Sequence, residues 1–494
     1  MKLNQYIVSL MILAFTATSC QDYLTVLPEN NQSTVQYWKN KEEVEAVLGA
    51  GYVKLRAAQE YLMLWGEARG NGIYFSGTGP TAQVAGQKLR QFDILATNDL
   101  AKWDKLYAVI NMANSVIKYG PTVQDASFNV NVLKSYLSEA YYQRALSYFY
   151  LVRLWKDVPF VKEPYVDDSA PYSIAQTSGD EILRSCLIDL NNSLESAKAR
   201  FPESDAVNPI NSKGRATKWA IYSLIADINL WLGNYDAVIP ACEAVINSGQ
   251  VGLIGGENWF TNFYPGNSNE SIFEIQYSYV LNQTNSFISW FSTSKYYYIS
   301  PYQQLLFEAN ATDLRGLKAS YSADGKIWKY IGYQKYGTGS EVRASTQYDQ
   351  NWIIYRLADI YLMEAEANIM KGDSESMGKG LELLNKIRTR AGITPSAGSS
   401  EKLGMIKILL EERQREFFCE GKNWFDLVRI GHRADAGFKE LFIEEVLQVA
   451  SASTSAMVRA ILQDTNAWYL PVHSDELVSN DLLVQNPYYE NLGN

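Results

Sequence analysis

The chain has 494 residues, which at roughly 150 residues per domain allows about three ordinary domains or one large one with a sizeable core. Hydrophobic residues at 47% and charged residues at 20% exclude a disordered chain. A net charge of -10 provides no basic field for phosphate backbones, which excludes nucleic acid as a partner; two histidines and four scattered cysteines supply neither zinc-site spacing nor a disulfide framework.

At the N-terminus, Lys2 precedes an apolar run from Ile7 to Ala17 that ends in small residues and Cys20. The run falls short of the about 20 apolar residues a membrane-spanning helix needs, and residues 1–19 read as a secretory signal. Ala17-Thr18-Ser19-Cys20 resembles the lipobox of bacterial lipoproteins, which implies that Cys20 is lipidated and anchors the chain to a membrane. Each buried acyl methylene contributes about 0.8 kcal/mol, so two or three chains hold stably. Cys186, Cys242 and Cys419 sit in mostly apolar helical contexts that suit buried thiols.

Residues 66–99 are broken by Gly66, Gly70, Gly72, Gly77, Gly79 and Gly86 and read as loop. Glu67, Arg69, Asn71 and Tyr74 set a charged pair, an amide and a ring on that loop; they are candidate ligand contacts, with a solvated loop and an internal ion pair as the alternative. Trp103 to Asn114 has the spacing of a core helix, with Asn114 capping or bonding a loop. Leu133, Leu137, Ala140, Tyr141, Ala145, Tyr148 and Val152 recur three or four apart and predict a helix to Trp155, stopped by Asp157-Val158-Pro159. Ser212 is placed to cap a helix running through Ala216 to Trp231 and the turn Gly233-Asn234. A second helix from near Asp236 sets Pro240 close to its first turn, where proline is tolerated, and the pair looks like a tetratricopeptide hairpin. Trp352 to Met370 and Lys379 to Ala391 predict another, with Ala358, Ala365 and Ala367 where the helices approach.

Between them, residues 251–347 are rich in Gly, Ser, Asn and Tyr and read as loop with a few strands, such as Ser271 to Tyr277. Here Trp290, Phe291, Tyr296, Tyr297 and Tyr298 lie close together; in a strand, alternate rings face opposite ways, some into core and some outward. Exposed Trp and Tyr faces stack on sugar rings or grip peptide side chains, so Trp290, Tyr296, Tyr297 and Tyr298 are candidate ligand residues, with Glu67, Arg69 and Asn71 assisting if the two irregular segments meet. Trp328 and Tyr330 come next. Glu412, Glu416 and Glu420 share one helical face, but Arg413, Arg415 and Lys422 lie among them, and pairing along the helix accounts for them better than acid–base catalysis. His473 has no second histidine nearby and reads as structural.

Several separated blocks together resemble one family, the SusD/RagB nutrient-binding lipoproteins of Bacteroidota. They include Cys20-Gln-Asp-Tyr-Leu-Thr-Val-Leu-Pro28, the Trp103–Asn114 helix, Arg144 to Arg153 with its Asp157-Val-Pro159 stop, and Gly214 to Ala220. Arg356 to Asn368, Leu384 to Gly392, Glu412 to Arg429, and the closing Tyr469-Leu-Pro-Val and Gln485-Asn-Pro487 continue the match. The resemblance implies a mostly α fold, with four tetratricopeptide-like hairpins on one side and an irregular, loop-rich ligand-binding half with a few short strands on the other. It implies a single domain over residues 20–494, divided into an N-terminal part to about 250, a loop-rich insertion over about 251–347 and a C-terminal part over about 348–494. It further implies a non-enzymatic, cofactor-free surface lipoprotein of the outer membrane. Such a protein acts as a lid on a SusC-like TonB-dependent barrel and captures a glycan or, alternatively, an oligopeptide. A helical glycoside hydrolase and a protein-only repeat scaffold are the rivals from other classes.

Overall fold

The computed structural model describes residues 37–76, 79–166, 171–201, 210–293, 296–335, 342–344 and 348–490; the signal segment and Cys20 lie outside them. Helix α1 (Lys41–Ala57) opens on a capping box, in which Asn40 Oδ1 accepts from the Glu43 amide at 2.9 Å and the Glu43 carboxylate accepts from the Asn40 amide at 3.2 Å. Helix α2 (Gln59–Glu67), strand β1 (Ile73–Phe75) and helix α3 (Thr81–Arg90) follow. The glycine-broken stretch reads as loop throughout, yet α3 runs through Gly86. A Cβ there would come within 2.9 Å of the Phe75 ring and 3.2 Å of Leu64, so the glycine serves close packing and does not break the helix.

Helix α4 (Asp104–Tyr119) packs on α5 (Val130–Trp155), whose Asn129 cap accepts from the amides of Asn131 and Val132. Asn114 bonds a loop as expected, donating to the Val161 carbonyl at 3.0 Å. Short strands β2 (Val158–Pro159) and β3 (Gln176–Thr177) pair before α6 (Gly179–Ser193), which returns along α5. Short helix α7 (Ile210–Gly214) contains Ser212, whose hydroxyl bonds the Phe201 amide; the cap of α8 (Lys218–Leu232) is instead Thr217. Gly233, at a φ of 77°, turns the chain into α9 (Tyr235–Ile246), and Pro240 sits inside that helix.

Strand β4 (Ser271–Ile275), strand β5 (Tyr297–Ile299) and helix α10 (Pro301–Glu308) lie in the loop-rich stretch. Strand β6 (Trp352–Arg356) pairs antiparallel with β4, so the first residues of the predicted Trp352–Met370 helix are strand, and α11 covers Leu357–Lys371. Helix α12 (Ser374–Arg390), capped by Asp373, folds back on α11. A Cβ on Gly380 would lie 2.8 Å from the Ala365 carbonyl, so small residues set that approach. Helices α13 (Lys402–Glu416), α14 (Asn423–Gly431), α15 (Phe438–Leu447), α16 (Ser455–Leu462), α17 (Ser474–Ser479) and α18 (Pro487–Glu490) complete the chain. The architecture is mostly helical, with stacked hairpins and, among the described residues, three two-stranded antiparallel sheets. Among the described residues, no helix is long and apolar enough to cross a membrane.

The carboxylates of the Glu412, Glu416 and Glu420 row are buried, and their partners differ from those expected along the helix. Arg315 reaches Glu412 at 2.7 Å and Glu416 at 2.6 Å; Arg356 binds Glu270 at 2.8 Å, Glu420 at 3.0 Å and also Glu416; Lys329 meets Glu420 at 3.0 Å. Of the expected local pairs, Arg415 with Glu412 forms at 3.2 Å, whereas Arg413 turns to Asp359 and Asp426 and Lys422 to Asp359. Burial alone would raise the Glu416 pKa, but Arg390, Arg356 and Arg315 outweigh it and hold the carboxyl well below the usual range. This charge cluster fastens the loop-rich stretch to α11–α13. A buried network adds little over an apolar core of the same shape, yet removing one partner costs about 3–5 kcal/mol because it strands the other.

Candidate ligand-binding site

Pairing of β1 with β5 brings the two irregular segments together, in the register Ile73↔Ile299, Tyr74↔Tyr298 and Phe75↔Tyr297. Successive side chains alternate between faces. Ile73, Phe75, Tyr297 and Ile299 go to the core, where Tyr297 meets the Phe75 ring edge-on at 5.3 Å. Tyr74, 39% exposed, and the half-buried Tyr298 point the other way with ring centroids 5.5 Å apart. The Arg90 guanidinium, at the end of α3, lies 5.0 Å over the Tyr74 ring.

Beside Tyr74 opens a cleft of about 550 Å³, walled by the 69–75 segment, the end of α3 and residues 446–458; Arg69, Tyr74, Gln87, Arg90, Val449 and Thr454 are among its lining residues, and Tyr298 adjoins it through its contact with Tyr74. Arg90 is fixed by donating to the carbonyls of Gly70 at 3.2 Å and Val449 at 3.1 Å, and burial lowers its pKa. Arg69 is 1% exposed, lies 4.2 Å over the Trp424 ring and donates to the Trp468 carbonyl at 2.7 Å; burial brings its pKa down to about 10. A tyrosine face, the Arg90 guanidinium and a rim of amide, hydroxyl and methyl groups suit a polar, ring-bearing ligand, with the enclosed Arg69 behind them.

The remaining candidates divide by burial. Glu67 does not pair with Arg69; it is buried, its Oε1 accepts from the amides of Gly421 at 2.7 Å and Lys422 at 3.3 Å, and burial pushes its pKa up to about 8. It clamps α2 to the 420–422 turn, and its burial favours the neutral carboxyl. Asn71 is also enclosed, donating to Glu445 and accepting from Asn423 Nδ2 at 2.8 Å, so it positions the loop and is out of a ligand's reach. Trp290 and Tyr297 are core residues, since each ring is enclosed by other aromatics: Trp290 packs on Phe287 at 5.4 Å and both contact each other at 6.1 Å. Tyr296 is half-buried, and its carbonyl accepts from the Ser76 amide at 3.0 Å. Trp328 and Tyr330 are buried, Tyr330 stacking on Trp352 at 5.6 Å. Sequence reasoning misses Gln87 and Arg90 because glycines make their segment read as loop, and Val449 and Thr454 because no local pattern marks them.

The histidines and the three described cysteines belong to the scaffold. His473 caps α17, its Nδ1 accepting from the Asp475 amide at 3.1 Å, and Cys186, Cys242 and Cys419 are buried free thiols. A second, smaller concavity of about 300 Å³ is lined by Trp103, Tyr107 and Ile110, with Tyr165 and Tyr172 stacked at 5.9 Å.

A helical-hairpin scaffold with short strand pairs and long irregular segments is the class these features define, and known proteins share its fold. A model of the SusD family matches residues 253–489, and a model described as "Starch-binding associating with outer membrane" matches residues 22–230. SusD-like protein P38 of Formosa agariphila is 24% identical over 95% of this chain and 96% of its own, and a SusD-like protein of Bacteroides ovatus is 25% identical over 85% and 82%. In the solved structures, a SusD superfamily protein of Bacteroides vulgatus superposes with a TM-score of 0.72 at 19% identity, covering 92% of this chain and 100% of that one. A laminarin-binding SusD-like protein superposes with a TM-score of 0.70 at 21% identity, covering 91% and 100%. The chain belongs to the SusD family.

Proposed function

We propose that the protein is a surface lipoprotein of the outer membrane, anchored through Cys20, that binds an oligosaccharide at the cleft beside Tyr74 and passes it to a SusC-like TonB-dependent barrel. The observation that carries the reading is the outward tyrosine pair beside the cleft, because exposed aromatic faces over hydrogen-bonding groups suit the apolar faces and hydroxyls of sugars. The description of the model matched by residues 22–230 and the name of the laminarin-binding neighbour support it. Stacked hairpins present rigid, extended faces, which suits docking on a barrel that opens and closes.

Binding without chemistry fits the cleft better than hydrolysis. Among its described lining residues Asp93 is the one carboxylate, and it is paired with Lys88. Glycosidases need two carboxyl groups about 5–9 Å apart across the bond they cut. An array of glycans and peptides probed with the purified protein, with a reducing-end assay on every glycan bound, tests the reading. Glycan capture without new reducing ends supports it; capture of peptides alone, or release of reducing ends, refutes it.

A further inference from the structure

We infer that the cleft is built for an acidic glycan, one whose sugar rings carry carboxylate or sulfate groups; this rests on the glycan-binding reading above. Two guanidiniums, Arg69 and Arg90, line the cleft, and among the described residues no carboxylate lies within 4.0 Å of either. The groups that act on their protonation are burial and tyrosines: Tyr489 for Arg69, Tyr74 and Tyr298 for Arg90. Arg69 Nε and Nη2 are buried with no hydrogen-bond partner. A buried cation without a carboxylate is a costly arrangement, and most of the buried arginines outside the cleft have one. Arg315, Arg356, Arg390, Arg413 and Arg429 are each closed by carboxylates in the core. Arg343 and Arg433 are held by main-chain carbonyls and stand outside the cleft.

The other charges around the cleft do not supply the missing anion. Asp93 is engaged by Lys88, and Glu445, behind the wall, is engaged by Asn71, Tyr302 and Gln414. The cleft therefore carries net positive charge on a protein whose total is -10. An anion on the ligand would complete charge-assisted hydrogen bonds with Arg90, whose fork has N–H groups beyond the two held by Gly70 and Val449, and would relieve the desolvated charge of Arg69 behind it. The Tyr74 face alongside would carry the sugar ring.

Calorimetry on the whole protein with three probes tests this: an oligogalacturonate, a sulfated galactan oligomer and neutral laminarihexaose, each at low and high salt. The expected result is that at least one acidic probe binds about tenfold or more tighter than the neutral one, with an affinity that falls as salt rises. Which acidic probe wins distinguishes carboxylate from sulfate. Arg90→Gln should reduce the preference about tenfold, and Arg90→Lys should retain part of it. If a variant fails to fold, the salt dependence of the unaltered protein still separates an acidic ligand from a neutral one. Equal or tighter binding of laminarihexaose, insensitive to salt, would overturn the acidic-ligand inference and leave glycan binding standing. Binding of no glycan at all would overturn both.

Discussion

Tyr297 and Tyr298 are neighbours in sequence with the same side chain, and the strand pleat gives them opposite tasks. Tyr297 is enclosed by Phe75, Trp290 and Phe291, so Tyr297→Ala should cost about 3–5 kcal/mol of stability, as large-to-small changes at buried aromatics do. Tyr74→Ala removes an outward ring and should leave the melting temperature nearly unchanged while weakening oligosaccharide binding by about 1–3 kcal/mol. Thermal melts beside titration calorimetry separate the two; a large stability loss in Tyr74→Ala would make that ring part of the core. Glu67 supplies a pH signature at the same scale. Its folded pKa of about 8 lies above the usual carboxylate range, so the folded chain keeps a proton that the unfolded chain has lost. Its contribution to stability is whole below that usual range and is lost as pH rises toward about 8. Glu67→Gln cannot ionise and still accepts from Gly421. Its melting temperature should therefore gain on that of the unaltered protein across this window, and parallel pH curves would contradict the buried, protonated state.

Among the elements, close approaches and helix interiors make different demands on glycine. A Cβ on Gly66 would sit 1.9 Å from the Gly421 carbonyl oxygen, main chain against main chain, so Gly66→Ala should destabilise by about 1–3 kcal/mol or more. Gly378 lies inside α12 with nothing within 4 Å of the added atom, and Gly378→Ala should stabilise by about 0.5–1 kcal/mol. Urea melts of the pair check the opposite signs. The long helices and the α8–α9 and α11–α12 hairpins were legible because a 3.6-residue period and terminal caps are local signals. Strand β6 was not: Trp352-Ile-Ile-Tyr355 is buried throughout, and a short apolar run looks alike as buried strand or helix start. The partners of Glu412, Glu416 and Glu420 were illegible for a different reason, since Arg315 and Arg356 come from remote stretches and folding alone joins them to α13 and the turn after it. Of the candidate site, the alternation of rings along a strand could be read, whereas the meeting of the two irregular segments stood only as a condition; which rings face outward depends on a register set by pairing.

For the whole molecule, the proposed lid has a rigid helical body, a cleft on its irregular face and a lipid tether. Cys20→Ala should release the protein from membranes, because in the proposed arrangement acyl burial and not a weak surface contact holds it there. Fractionation at high salt checks this, and a variant that still sediments with membranes would contradict the tether. Crosslinking in intact cells should recover a large β-barrel protein bound through the hairpin face, and recovery of the chain alone would count against the lid. The most direct test of the central claim is titration of the mature protein with an oligosaccharide selected on the array, comparing the unaltered chain with the Tyr74→Ala/Tyr298→Ala double variant. The account predicts saturable binding to the unaltered chain that is lost in a double variant of unchanged melting temperature. Undiminished binding by that variant would contradict it.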